Sequence, residues 1–169
     1  ETLTASPESA HLYYPRLSIS PSFIKITNQS GMDGIRNSAT TLAGYYYLGS
    51  TFSLSGFTSI GTSGSPFTGV FLGQSGQGYS ISGLSISATS NYSGLFGYTS
   101  SNAVLFDIKI TGASVSVGSY SYIGALVGYN NGGLIYNCSS AGTVTSSSSS
   151  YVGGLVGWNG SNNSSGYII

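Results

Sequence analysis

The sequence predicts an all-β fold: a single right-handed parallel β-helix of about four to five coils, with an N-terminal strand and a short helix as its cap. Three observations carry this expectation. The first is a repeat. Tyr151-Val152-Gly153-Gly154-Leu155-Val156-Gly157-Trp158 is echoed by Tyr122-Ile123-Gly124-Ala125-Leu126-Val127-Gly128-Tyr129 and, one residue shorter, by Tyr92-Ser93-Gly94-Leu95-Phe96-Gly97-Tyr98. The last glycines of the three copies stand at 97, 128 and 157. Spacing of this order is the mark of stacked supersecondary units. The second is punctuation: from Gly56 onward, short apolar groups alternate with Gly, Ser, Thr and Asn, as in Phe67-Thr68-Gly69-Val70-Phe71 and Tyr79-Ser80-Ile81-Ser82-Gly83-Leu84-Ser85-Ile86. Such spacing indicates short strands and turns, and the repeat favours a solenoid over a sandwich or barrel. The third is a second set of matches outside the glycine copies. Leu105-Phe106-Asp107-Ile108 corresponds to Ile135-Tyr136-Asn137-Cys138, and Gly112-Ala113-Ser114-Val115-Ser116 to Ala141-Gly142-Thr143-Val144-Thr145.

Taken from the N-terminus, residues 1–30 differ from the rest. They hold Pro7, Pro15 and Pro21, the single histidine His11 and half of the charged residues. Leu17 and Ile19, then Phe23, Ile24 and Ile26, alternate in strand fashion around Pro21, which suits an edge strand or an extended arm. This segment is read as an arm that caps the solenoid or reaches a neighbour, with residues 31–169 as the solenoid itself. Met32, Ile35 and Ala39 lie at helical spacing within 31–43, a short helix for the open end of the stack. Tyr45-Tyr46-Tyr47-Leu48 begins β structure, followed by alternation at Phe52, Leu54 and Phe57. The coils fall at roughly 44–66, 67–91, 92–121, 122–150 and an incomplete 151–169, each with about three short strands.

Stacking places equivalent residues about 4.8 Å apart, so like residues form ladders. Leu95, Leu126 and Leu155 make one file; Tyr98, Tyr129 and Trp158 make an aromatic one. Cys138 shares its position with Ile108 and is expected in the core as a small apolar residue. The serine run 146–150 reads as an exposed corner between repeats.

Composition narrows the function classes. Charged residues are 5% of the 169 and the net charge is zero, so there is no basic surface for nucleic acid. The hydrophobic share of 40% and aromatic share of 13% argue for a packed core rather than disorder. So little charge suits a protein that is immobilised or assembled rather than free in the cytosol. No apolar run reaches the ~18 residues of a membrane helix. With no basic-then-apolar leader at the N-terminus, the chain reads as either cytosolic or a mature form whose signal peptide has been removed. The low charge favours the second: a secreted protein, extracellular or at the cell surface. One cysteine allows no intrachain disulfide. Sequons at Asn28, Asn91, Asn137, Asn159, Asn162 and Asn163 permit glycosylation without indicating it, since an Asn- and Ser-rich chain supplies several by chance.

The stretch Tyr151 to Asn159, with Gly132-Gly133-Leu134-Ile135-Tyr136-Asn137-Cys138 before it, resembles the GLUG repeat, and Leu42 to Leu48, Phe57 to Gly61 and Phe67 to Phe71 resemble the lead-in to such arrays. The likeness covers about residues 31–169. It implies a β-solenoid of the kind found in large secreted and surface proteins of bacteria and archaea, many of them adhesin-like. The chain departs from the usual acidic Asp-Gly-x-Gly turn after the Phe-Thr-Gly stretch, having Leu72-Gly73-Gln74-Ser75 there.

No catalytic centre is legible. Glycoside hydrolysis needs two carboxylates on one groove, and only Asp33 and Asp107 lie within the body. Asp107 occupies the place of Asn137 one coil on, which marks it as a turn or ladder residue. One His and one Cys make no metal site, and no cofactor is expected. Two readings remain. In one, the protein is a non-enzymatic filament subunit that binds itself head to tail, the strand bearing Leu17, Ile19, Phe23, Ile24 and Ile26 completing the open coil of the next copy. In the other it is an adhesin or carbohydrate-binding module, its tyrosines meeting surface glycans.

Overall fold

The computed structural model describes residues 22–118, 121–160 and 166–169. The chain winds through four parallel sheets, visiting each in the same order on every turn. The first sheet stacks β1 (Ile24–Ile26), β2 (Tyr45–Leu48), β3 (Val70–Leu72), β8 (Val104–Phe106), β12 (Leu134–Tyr136) and β16 (Tyr167–Ile168). In register, Tyr46 lies under Phe71, Phe71 under Leu105, Leu105 under Ile135 and Ile135 under Ile168. The second sheet holds β4 (Ile81–Ser82) and β5 (Ser85–Ala88), both paired to β9 (Lys109–Val117), with β13 (Ser139–Ser146) beyond. The third holds β6 (Tyr92–Ser93), β10 (Tyr122–Ile123) and β14 (Tyr151–Val152), and the fourth β7 (Phe96–Thr99), β11 (Val127–Asn130) and β15 (Val156–Asn159). All these pairings are parallel, and the whole is an all-β solenoid of about four turns.

A full turn thus has four strands where three were expected. The repeat itself is the cause. In the copy at 122–129 the backbone dips inward after Ile123, burying Ala125 and Leu126, and returns as β11. The corner splits one side of the coil into two short strands. It brings Gly128 so close to its neighbours that a Cβ there would lie 2.7 Å from the Ser93 nitrogen and 2.7 Å from the Tyr122 oxygen. Only glycine fits such an approach.

Other corners use residues that tolerate a left-handed backbone. Asp107 (φ 57°) and Asn137 (φ 51°) occupy successive levels of the corner after the first sheet, a conformation for which Asp and Asn are the favoured non-glycine residues. The first turn is the least regular. Residues 49–69 contribute only isolated bridges: Phe52 to Ile81, Ile60 to Phe96 and Phe67 to Thr99 between turns, and the local antiparallel Thr62 to Ser65.

One continuous apolar core runs up the axis. Phe67, Phe71 and Phe96 pack at its lower end with ring centroids 4.7 and 5.8 Å apart, and Leu84, Leu95, Ile108, Ile123 and Leu126 are each without exposed surface. Cys138 packs half-buried against this core. Its thiol donates to the Tyr136 carbonyl at 3.3 Å and accepts from the Ile108 amide at 3.4 Å.

The N-terminal end of the stack is closed by α1 (Gln29–Gly34) and α2 (Ala39–Leu42). Helices this short do not stand alone in water, and tertiary packing must hold them. Met32, Ile35 and Leu42 are buried in the common core. Local capping helps: the Asn28 side chain accepts from the Gly31 amide at 2.9 Å, and Ser38 and Thr41 form a reciprocal capping box. The cap also satisfies backbone groups of the first turn. The Gln29 side chain donates to the Ser55 carbonyl at 3.1 Å and accepts from the Ser55 amide at 3.0 Å, taking the place of a neighbouring strand. Arg36 donates to the Thr58 carbonyl at 2.7 Å, its guanidinium over the Phe57 ring. The body therefore takes in residues 22–30 as well: β1 pairs with β2, and Ile26 is 3% exposed in the same core as Met32.

Candidate functional site

Strands β13, β14, β15 and β16 are each the last of their sheets. Side chains on them repeat the pattern of the turn below, with no further turn above among the described residues. The contrast is large at equivalent positions. Ile123 is fully buried, whereas Val152, its partner in β14, is 48% exposed; Ile135 is 1% exposed, whereas Ile168, its partner in β16, is 46% exposed. Tyr151, Trp158, Tyr167 and Ile169 are exposed with them, and among the described residues only Ile24 is a comparably exposed large apolar side chain elsewhere. A terminal parallel strand also presents a row of backbone groups that template another strand. From residue 110 onward the chain has no charged side chain.

Three files of side chains rise to this surface. Leu95 and Leu126 are fully buried, one above the other, and Leu155 packs half-buried at the top. Tyr98, Tyr129 and Trp158 share one register. The tyrosine rings stack at 4.8 Å and nearly parallel, and the indole lies over Tyr129 at 6.2 Å. Beside them runs an aromatic file that the sequence reading did not pick out, Tyr92, Tyr122 and Tyr151, stacked at 5.7 and 4.9 Å. The files meet edge to face, with Tyr122 5.1 Å from Tyr129 and Tyr151 5.2 Å from Trp158. Both spring from the repeat, whose first and last aromatics flank the inward glycine corner. The stacking takes up ring faces within each file, whereas a sugar platform needs open faces.

A polar ladder was missed as well. The Thr99 hydroxyl donates to Asn130 Oδ1 at 2.6 Å, and Asn130 Nδ2 donates to Asn159 Oδ1 at 2.7 Å. Asn130 also donates to the Gly133 carbonyl and accepts from the Gly133 amide. All four hydrogen-bonding positions of this fully buried amide are therefore used, as burial of a polar group requires. The available signal was an Asn directly after the closing aromatic in two successive copies, Tyr129-Asn130 and Trp158-Asn159. A shorter ladder joins Asp107 to Asn137 at 2.9 Å; the Asp107 carboxylate also accepts from the Ser75 hydroxyl and the Gly76 amide. Asp107 is thus a corner residue tied up in local bonds.

Of the expected assembly residues, Leu17 and Ile19 lie outside the described residues, as do the sequons at Asn162 and Asn163. Ile24 and Ile26 belong to β1, already paired to β2, and Phe23 packs edge-on against Tyr45 at 5.6 Å. These three are therefore engaged within their own chain rather than free for donation. Asn28 caps α1, and Asn91 is exposed. At Asn137 and Asn159 the Nδ2 atom that a glycan would occupy is donating, to Asp107 and to the Gly166 carbonyl respectively.

A cavity of about 270 Å³ opens beside the first turn, lined by Phe57, Thr58, Ser59, Ser87, Ser90 and Tyr92 among others. No group of three His, Cys, Asp or Glu side chains among the described residues converges on a point, and no helix among them is long and apolar enough to cross a membrane.

Residues 119–145, which span β10, β11, β12 and nearly all of β13, match the family model of the GLUG motif. The chain carries a GLUG repeat. The matched copy is the middle one, bounded above and below by its own echoes, so the GLUG unit here is one complete turn of the solenoid. Neither the curated proteins nor the solved structures give a match to the chain.

Proposed function

We propose that this GLUG solenoid is a non-enzymatic extracellular structural protein, a subunit joined head to tail in a surface filament through its open C-terminal turn. The observation that carries the reading is the rise in exposure between equivalent apolar residues, from Ile123 to Val152 and from Ile135 to Ile168. An apolar, uncharged end with unpaired strand edges is a surface for strand addition. The opposite end, where α1 and α2 close the core and, among the described residues, only Ile24 of the edge strand β1 is an exposed large apolar side chain, is a different surface, so the contact is heterologous and propagates rather than closing on itself. With β1 committed to its own sheet, the donating segment is the chain that precedes residue 22.

Electron microscopy of the purified protein, with and without residues 1–20, tests this. The whole chain should form filaments, and the truncated chain should keep the circular dichroism of the solenoid but remain unassembled. Filaments that form equally well without residues 1–20, or a whole chain that stays monomeric at every concentration, would refute the reading.

A surface adhesin module is the second reading, and the cavity beside Tyr92 favours it, because serine and threonine hydroxyls beside an aromatic ring suit a sugar. Glycan binding that is lost in Tyr92→Ala, by a chain that forms no filaments, would select it.

A further inference from the structure

Resting on the filament reading, we infer that Leu17-Ser18-Ile19-Ser20 of one subunit adds as a parallel strand to the outer edge of β13 in its neighbour, Ser18 opposite Thr143 and Ile19 opposite Val144. The tetrapeptide is identical to Leu84-Ser85-Ile86-Ser87. That second copy already sits in the second sheet, where Ser85 pairs with Ser114, Ile86 with Val115 and Ser87 with Ser116 of β9. On the other side of β9 the same residues pair with Thr143, Val144 and Thr145 of β13. A strand of this sequence on β13 therefore repeats an arrangement that the fold already contains two levels below.

The side chains fit. Within the sheet, Leu84, Ile86 and Val115 point inward and are at most 2% exposed, and their serine neighbours point out. Val144 stands at the same inward position but is only half-buried, since no strand among the described residues covers it. Ile19 would cover it as Val115 covers Ile86. Pro21 falls at the place of Ala88, the last residue of β5, and Pro15 precedes the tetrapeptide. Prolines at the two ends of an edge strand cost it no needed hydrogen bond and limit its length to this segment.

Reach makes the pairing intermolecular. The outer edge of β13 lies at the level of β16, and β1 and β16 are the first and last of six strands in one sheet. Five spacings of about 4.8 Å put them roughly 24 Å apart. Ser20 precedes Ile24 by four residues, which span at most about 14 Å. The segment cannot touch β13 of its own chain. It reaches the β13 of a copy whose C-terminal turn abuts the capped end, which is the head-to-tail contact.

Disulfide trapping tests the register. Two preparations are made in a Cys138→Ala background, one Ser18→Cys and one Thr143→Cys, then mixed under assembly conditions and oxidised by air. Facing residues of adjacent strands lie within disulfide range, so a linked pair should appear on a non-reducing gel. Replacing the second partner with Thr145→Cys moves the sulfur two residues along the strand, to about 8 Å between Cα atoms, beyond the ~7 Å limit. The band should then be lost. Equal linkage by both pairs, or linkage by neither while filaments still form, overturns the strand register and leaves the filament reading standing. Absence of both linkage and filaments overturns both.

Discussion

The two ends of this solenoid solve the same problem in opposite ways. Each terminal turn has an apolar interior and a row of backbone groups to satisfy. At the N-terminal end, Met32, Ile35 and Leu42 seal the core, and the Gln29 amide pairs with Ser55 in place of a strand. At the C-terminal end, Val152, Trp158 and Ile168 repeat the core and ladder positions of the turn below and are exposed among the described residues. Capping repeats differ from internal ones because a stack cannot bury its own end. Here one end is a cap by sequence, and the other is an internal repeat in everything but its exposure. Among the described residues the two ends therefore differ, and the proposed head-to-tail assembly rests on that difference.

The sharpest way to break the comparison is to remove a large apolar side chain from each end. Met32→Ala should destabilise the isolated chain by about 2–5 kcal/mol, the range for a buried Met-to-Ala cavity. Trp158→Ala should cost only about 1 kcal/mol, the worth of its ring contacts, yet it should impair assembly. Thermal unfolding and sedimentation read the two effects separately. A smaller contrast lies within the repeat. Gly128→Ala forces a Cβ against the backbone of Ser93 and Tyr122 and should cost about 1–3 kcal/mol or more. The same substitution at Gly154, where a Cβ meets nothing within 4 Å, should be neutral or stabilise by about 0.4–1 kcal/mol. If the two glycines respond alike, the inward corner is not what fixes them.

The architecture was legible because a solenoid writes its geometry into its period. Leu95, Leu126 and Leu155 and the file ending at Trp158 could be aligned by counting, and the alignment is the structural register. What escaped is what the period does not encode. Asn130 reads as one more polar residue in a polar chain, and only its position between Thr99 and Asn159 makes it a fully bonded internal amide. The fourth strand escaped because the glycine corner folds inward instead of turning a plain edge. The partner of the N-terminal strand escaped for a similar reason: Pro21 marks a break, but Ile24–Ile26 lies beyond it and joins the first sheet. A β1 of only three residues carries too little alternation to reveal its partner.

Alkaline pH probes the top of the stack with the smallest effect. Burial raises the Cys138 thiol from 9.0 to about 12. The folded chain then holds a proton that the unfolded chain releases. The contribution is complete below about pH 9 and is lost as pH rises toward 12. The melting temperature of the native chain should therefore fall more steeply over this window than that of Cys138→Ala, whose other titrating groups are the same. Parallel curves would place the thiol in water.

Hydrogen exchange on assembled and dissociated full-length protein addresses the polarity of the two ends most directly. Assembly should slow exchange in 142–146, in 151–159 and in 17–20, while the amides of β8 and β9, already bonded on both sides, change little. Exchange in 142–146 that is as fast in the assembled protein as in the separate chains would contradict the account.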